Sequence, residues 1–353
     1  MKQDSTRPHR GLANHQSGAA LLAAMLTVTL VATFAAAALW QQWRSVEVET
    51  AERARVQSGW ILTGALDWTR LILREDGRSG GADHLAEPWA VPLNEARLSS
   101  FLAVDKNATD TEREAFLSGR VSDLQARLNV SNLVEGNSLS ASAIASFSRL
   151  FELLGLPAEQ VLMLSSGMLQ ALRDPAAPPI SGAGPGIAPP ASGASSAAAP
   201  AQGAPATEVN PLTPLMPQRV DQLVWLGIPR ETLAALAPYI TLLPQRTMVN
   251  LNTASAEVIY ASTTGLGLAD AQRLVAARER KPFNTLAEAS QQLGGVEGRF
   301  SDSQHTVSSR FFEVTGRLRI DQTVVQERSV LQREGVTVRT LWRDRGAIIS
   351  VPP

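Results

Sequence analysis

Residues Ala19–Trp40, AALLAAMLTVTLVATFAAAALW, run for 22 positions without a charged side chain. Wound as a helix at about 1.5 Å per residue, the stretch spans roughly 33 Å, the thickness of a bilayer's hydrocarbon core. Ahead of it, Lys2, Arg7 and Arg10 stand against Asp4 alone. The positive-inside rule therefore keeps the N-terminus in the cytoplasm and sends everything beyond Trp40 outward, into the periplasm of a bacterium. A cleaved secretory signal is the competing reading, but its apolar stretch runs only about 7–15 residues and ends at a small-x-small site. Here the run is longer, and no A-x-A break separates it from Gln41-Gln42-Trp43-Arg44. A plain single-pass anchor is the other account of this segment taken alone.

The helical pattern continues past the apolar run. Trp60, Gly64, Trp68 and Ile72 recur every four residues, widened by Ile61, Ala65 and Leu71, while Glu52, Arg53, Asp67 and Arg74 lie elsewhere on the wheel. This predicts one helix to about Asp76, with the tryptophan stripe turned into the core; unbroken from Ala19 it measures roughly 85 Å. With 353 residues and 44% apolar content, the chain can bury one or two real cores. Its 32 basic and 33 acidic side chains leave a net charge of -1, which gathers neither phosphates nor anionic lipid. The absence of cysteine removes disulfides, thiolate catalysis, zinc–cysteine sites and iron–sulfur clusters together.

Beyond the helix, GRSGGADHLAEPWAVPL (77–93) reads as a loop by its glycines and prolines. LSGRVSDLQARLNVSNL (117–133) reads as a strand and turn in which Val121, Leu124, Leu128 and Val130 pack. In that stretch Asp123, Asn129 and Asn132 can bond neighbouring backbone groups and fix the turn. Ser142 to Arg173 has helical spacing, with Ile144, Phe147, Leu150, Phe151, Leu154, Val161, Leu164 and Leu169 as core, and a second helical block runs from Val220 to Tyr239. Between them, 174–218 is an Ala/Pro/Gly/Ser tract too poor in large apolar groups to offset its ordering entropy, and reads as a flexible inserted loop. Alternation predicts closing strands at Phe311–Ile320, Thr323–Gln332 and Val336–Trp342, with a bend at Gly316 and a turn at Gly335.

Asn250-Leu251-Asn252-Thr253-Ala254, then Thr264-Gly265-Leu266-Gly267, then Arg278 and Pro282-Phe283 look like a helix-hairpin-helix module. In DNA-binding versions the glycine hairpin brings backbone amides to a phosphate, aided by basic side chains. From Arg219 to Phe300 eight Lys or Arg face seven Asp or Glu, too balanced for that attraction, so Gly265 and Gly267 read as a tight interhelical turn. His9, His15, His84 and His305 show no HExxH or HxH spacing, and no GxSxG elbow, Walker loop or dinucleotide fingerprint occurs. No enzyme is legible; a periplasmic hydrolase would need an unrecognised carboxylate pair.

Gly18, between the polar leader and the apolar run, resembles the cleavage point of type IV pilin-like precursors. The resemblance implies cutting by a prepilin peptidase, Ala19 as the methylated mature N-terminus, and Leu21, Leu22, Ala23, Met25 and Leu26 on the assembly helix. Most pilin-like subunits carry Glu at the fifth mature position, where this sequence has Ala23. That departure, the Asn129/Asn132 pattern and the NLNTA-like and hairpin-like segments together resemble the minor pseudopilins of the general secretion pathway protein K family of type II secretion systems. The resemblance implies an α+β fold in which a long N-terminal helix packs on an antiparallel pilin-like sheet interrupted by an all-α lobe. The expected divisions are 1–18 cytoplasmic leader, 19–40 transmembrane, 41–76 periplasmic helix, 77–133 first part of the sheet, 134–305 helical lobe and 306–353 closing strands. The implied partners are I- and J-type minor pseudopilins, the major pseudopilin filament, the inner membrane and secreted cargo, with no nucleic acid. Some pseudopilins bind calcium; Asp105, Asp110, Asp123 and Glu135 can offer it oxygen ligands, although their spacing matches no EF-hand. The alternative function is a membrane-anchored helix-hairpin-helix protein for DNA binding or uptake.

Overall fold

The strand that precedes the first turn lies beside the first closing strand, although the whole helical segment separates them in sequence. The computed structural model describes residues 17–97, 115–173, 214–294, 299–320, 323–346 and 349–350. Lys2, Asp4, Arg7, Arg10, His9, His15, Asp105, Asp110 and most of the 174–218 tract lie outside the described residues. The chain divides into two compact units, Met1–Thr63 and Gly64–Pro353.

Helix α1 (Ser17–Ser79) runs for 63 residues. Thr27, Thr29 and Thr33 donate their hydroxyls to the carbonyls of Ala24, Leu26 and Leu30 at 2.8–2.9 Å, so these three hydroxyls are satisfied by the helix's own backbone. Beyond Gly64 the helix buries Leu66 and Leu73. The tryptophan stripe, expected in the core, faces outward instead: Trp60 is 74% exposed and Trp68 55%. The leucine ridge is what meets the sheet, because Leu66 and Leu73 are seven residues apart on one face. Ile72 alone of the predicted stripe packs at the edge of that cluster.

The sheet consists of β1 (Leu93–Arg97), β2 (Ala115–Asp123), β3 (Phe311–Ile320), β4 (Thr323–Glu334) and β5 (Thr337–Arg345), antiparallel in that order, with β6 (Ile349–Ser350) pairing β4. Phe311 and Phe312, adjacent in β3 and therefore on opposite faces, are both fully buried. Phe312 joins Leu66, Leu73, Trp89, Val314, Leu331 and Val338 under α1, its ring edge-on to Trp89 at 5.1 Å. Phe311 joins Leu124, Leu243 and Val330 on the other face. Arg70 ties α1 to β5 by donating to the Val338 carbonyl at 2.9 Å.

Several elements differ from the sequence reading. β1 falls at the end of the segment read as loop. Gly316 makes no bend but sits in register opposite Gly119, where a side chain on Gly119 would crowd the Thr315 carbonyl. Gly335 does turn the chain, with φ 58°. The first helical block is two helices, α2 (Ala141–Leu153) and α3 (Glu159–Arg173), parted at Gly155, which takes φ 65°, and Pro157. The second is a 3₁₀ turn, Val220–Leu226, ended by left-handed Gly227, and the short α4 (Arg230–Leu236). With α5 (Ala256–Ser262), α6 (Leu268–Arg280) and α7 (Leu286–Gln291), they close over a separate core that includes Phe147, Leu150, Phe151, Leu164, Met168, Leu223, Ile259 and Leu274.

Phe312→Ala is expected to lose about 3–5 kcal/mol of stability, the usual result of emptying a fully packed aromatic site. Trp68→Ala should stay within about 0.5 kcal/mol. Urea unfolding of the two variants checks the assignment of faces on α1.

Candidate functional site

Four of the residues singled out by sequence, Asp123, Asn250, Asn252 and Thr253, meet where the sheet hands the chain to the helical lobe and takes it back. Asp123, the last residue of β2, is buried. Its Oδ1 accepts from the Gln125 amide at 2.7 Å. Its Oδ2 accepts from Thr253 Oγ1 at 2.5 Å, Ser309 Oγ at 2.6 Å and Asn250 Nδ2 at 3.2 Å. Asn250 in turn accepts the Asn252 amide on Oδ1 at 2.9 Å. Asn252 clasps Phe283 from both sides, donating to its carbonyl at 2.8 Å and accepting its amide at 2.9 Å. One carboxylate thus joins the outgoing strand, the NLNTA segment and the returning loop.

A second clasp lies beside it. Asn129 accepts the amides of Ser131 and Leu243 at 3.1 Å and donates to the Gln245 carbonyl at 2.8 Å. Asn132 makes no bond to its neighbours; it donates to the Thr247 carbonyl at 2.7 Å and accepts the Thr247 amide at 3.0 Å. Asp123 and Asn129 do cap the local turns, but most of the bonding capacity goes to residues more than a hundred positions away. Gly265 takes φ 74° in the turn between α5 and α6, and Gly267 precedes α6 as its cap. Arg149 of α2 covers this turn, donating to the Ala261 carbonyl and, at 3.0 Å, to Thr264 Oγ1.

Among the described residues, His305 is the imidazole that lies near hydroxyl groups, with Nε2 3.2 Å from Ser262 Oγ and 3.1 Å from Thr263 Oγ1. Its Nδ1 accepts the Ser301 amide at 3.3 Å, so Nε2 carries the proton and donates. A general base needs the opposite tautomer, held by an acceptor on Nδ1. Burial pushes the ring down to about 4, which keeps it neutral.

Among the carboxylates considered for calcium, Asp123 is fully engaged with four donors and Glu135 pairs with Arg246 at 2.6 Å. A different group, Asp76, Asp83 and Glu87, has ligand oxygens within 4.8 Å of one another. Arg333 ion-pairs with both Asp76 and Asp83, while Glu87 accepts from Trp89 Nε1 at 2.7 Å and from the His84 amide at 3.0 Å. Burial raises Asp83 and pushes Glu87 up to about 7. The sequence reading missed this group because its members lie on a helix end and a glycine-rich loop, and Arg333 comes from a distant strand.

At the other end of the chain, Gly18 and Ala19 lie in the first turn of α1. Leu21, Leu22, Met25 and Leu26 are all exposed, as is Ala23.

Two family models, both described as "Type II secretion system (T2SS), protein K", match residues 126–245 and 249–308, the region that holds the Asn129/Asn132 clasp, the NLNTA segment and the hairpin. The chain belongs to the type II secretion system protein K family. It is 25% identical over 352 residues to the type II secretion system protein K of Pseudomonas aeruginosa, covering 95% of this chain and 91% of that one. It is 24% identical over 359 residues to that of Pectobacterium carotovorum subsp. carotovorum, covering 96% and 99%. In fold it is similar to a chain of the GspK-GspI-GspJ complex from enterotoxigenic Escherichia coli, with a TM-score of 0.53, 15% identity, and coverage of 84% of this chain and 98% of that chain. The protein is therefore a minor pseudopilin, a structural component of the secretion system, and its apolar N-terminal helix is a single-pass membrane anchor.

Two buried groups of this family member give opposite pH signatures. Asp123, raised by burial to about 6 from its ordinary 3.8, binds more protons folded than unfolded, so its contribution is complete below pH 3.8 and is lost as pH rises through 6. His305, lowered to about 4 from 6.5, binds fewer protons folded, so stability is lost as pH falls below 6.5. Each amounts to about 3 kcal/mol at most. Urea midpoints of His305→Gln relative to wild type, measured from pH 7.5 to 4.5, should improve steadily as pH falls. A constant difference would show that the ring is not held neutral.

Proposed function

We propose that this minor pseudopilin sits in the inner membrane with residues 1–18 in the cytoplasm, spans it with 19–40, and carries the remainder in the periplasm. Prepilin peptidase cuts after Gly18, leaving Ala19 as the methylated mature terminus. The processed subunit then packs its N-terminal helix beside those of I- and J-type minor pseudopilins at the tip of the pseudopilus, on which the major pseudopilin filament assembles and from which protein export across the outer membrane proceeds. The sheet residues 77–133 and 306–353 act as one pilin-like body, and the 134–305 lobe is its inserted cap.

The observation that carries this reading is the uncovered apolar length of α1. Leu21, Leu22, Met25, Leu26, Val28, Phe34, Trp40 and Trp43 are all exposed, and so, far outside any bilayer-length segment, are Trp60, Trp68 and Leu71. A lone membrane anchor needs lipid-facing leucines but no tryptophans 20 or more residues beyond the span; a helix that packs against sister helices needs both. The name of the structurally similar complex, which joins K-, I- and J-type proteins, supports the choice of partners. A non-enzymatic role is supported by the engagement of Asp123, Asn129, Asn132, Asn250, Asn252 and Thr253 in hydrogen bonds that tie distant segments of the chain to one another.

N-terminal sequencing of the membrane-extracted protein should return a chain beginning at Ala19, and Gly18→Asp should leave the leader attached. A native chain beginning downstream of Trp40 would defeat the proposal. The double substitution Trp60→Ala/Trp68→Ala should reduce co-purified I- and J-type partners several-fold while leaving the protein's own unfolding midpoint unchanged.

A further inference from the structure

An open groove of about 640 Å³ lies in the second unit, between the lobe and the sheet face opposite α1. Its floor is a cross-strand row, Glu313 of β3, Val330 of β4 and Trp342 of β5, placed side by side by the strand register. Its far wall is aliphatic, formed by Val220, Val224, Leu233, Ala237 and Ile240. That volume falls within the range of about 300–1,000 Å³ that holds small ligands or a short peptide segment.

The charges around it are unequal. Arg127, Arg219, Arg230 and Arg328 line the groove, against Asp221 and Glu313. Two of the four guanidiniums are held in place: Arg219 ion-pairs with Asp344 at 2.9 Å and lies 4.9 Å from the Trp342 ring centre, and Arg328 lies 5.4 Å from the same ring. The Arg127 and Arg230 guanidiniums have no hydrogen-bond or ion-pair partner among the described residues. With Arg219 paired to Asp344 and Arg328 lying 3.9 Å from Glu313, Arg127 and Arg230 are the two cationic groups left to meet a ligand, facing Asp221 alone. Arginine forks beside a tryptophan and an aliphatic wall match carboxylates interleaved with apolar side chains.

We propose that this groove docks an extended acidic segment of a partner protein, its Asp or Glu carboxylates on Arg127 and Arg230 and its aliphatic side chains against Val224, Leu233 and Trp342. A phosphate polymer is the weaker match, because the aliphatic wall offers it no donors. The inference stands apart from the membrane and filament reading, since it uses only residues of the lobe and sheet.

The test pans a random hexapeptide library on the full-length protein in detergent micelles, with Arg127→Glu/Arg230→Glu as the counter-target. Neither guanidinium has a polar partner among the described residues, and thermal unfolding of this variant and of Arg127→Gln/Arg230→Gln checks that both fold as the parent does. Expected is an enriched pattern of Asp or Glu alternating with Leu, Ile or Val. The synthetic winner should bind the reversed variant at least about tenfold more weakly and lose affinity with added salt. Lack of any enriched pattern, equal binding to both variants, or inorganic polyphosphate binding more tightly than the selected peptide would each overturn the proposal.

Discussion

The buried carboxylate of Asp123 is the point through which the sheet and the helical lobe are fastened. It ends β2, starts the turn that leaves the sheet, and accepts hydrogen bonds from the NLNTA segment and from the loop that returns to β3. A carboxylate taken out of water is destabilising unless its lone pairs are filled, and here four donors fill them. Those donors come from segments far apart in sequence, so the carboxylate is satisfied only when the lobe has folded back to where it began. This couples the lobe's closure to completion of the sheet.

The neighbouring Asp83–Arg333 contact extends the same logic to α1. Arg333 of β4 bridges Asp76 at the end of the helix and buried Asp83, and it also donates to the Ser309 carbonyl at 2.9 Å. Ser309 is therefore shared between the two networks, donating its hydroxyl to Asp123 and its amide to Asp83 at 2.6 Å. Helix end, sheet and lobe meet in one polar junction whose members are of little use for chemistry because they are consumed by each other.

A sheet covered on one face by α1 and approached on the other by the lobe leaves limited places for partners. The apolar exposure of α1 and the arginine-lined groove are two such places, and they differ in kind. The first is long, aliphatic and suited to lipid or to parallel helices. The second is short and positively charged, suited to a segment with carboxylates. A structural subunit of a secretion system can use both surfaces, one for neighbouring helices and the other for the acidic segment proposed above.

The membrane segment was legible in the sequence alone, since the partitioning of 22 uncharged residues into lipid follows from transfer energetics that need no tertiary context. The closing strands were legible too, because β3 alternates against a polar face and Gly335 forces the turn. The faces of α1 were not: Trp60 and Trp68 look like core by size and spacing, and only the position of the sheet decides that Leu66 and Leu73 are covered instead. The same holds for Asn132 and Asp123, where local turn chemistry accounts for the residue types but not for partners more than a hundred residues away. Sequence fixes what a side chain can bond or bury; which of those capacities is used depends on which surfaces the chain brings within reach, and that is set only when the lobe closes back onto the sheet.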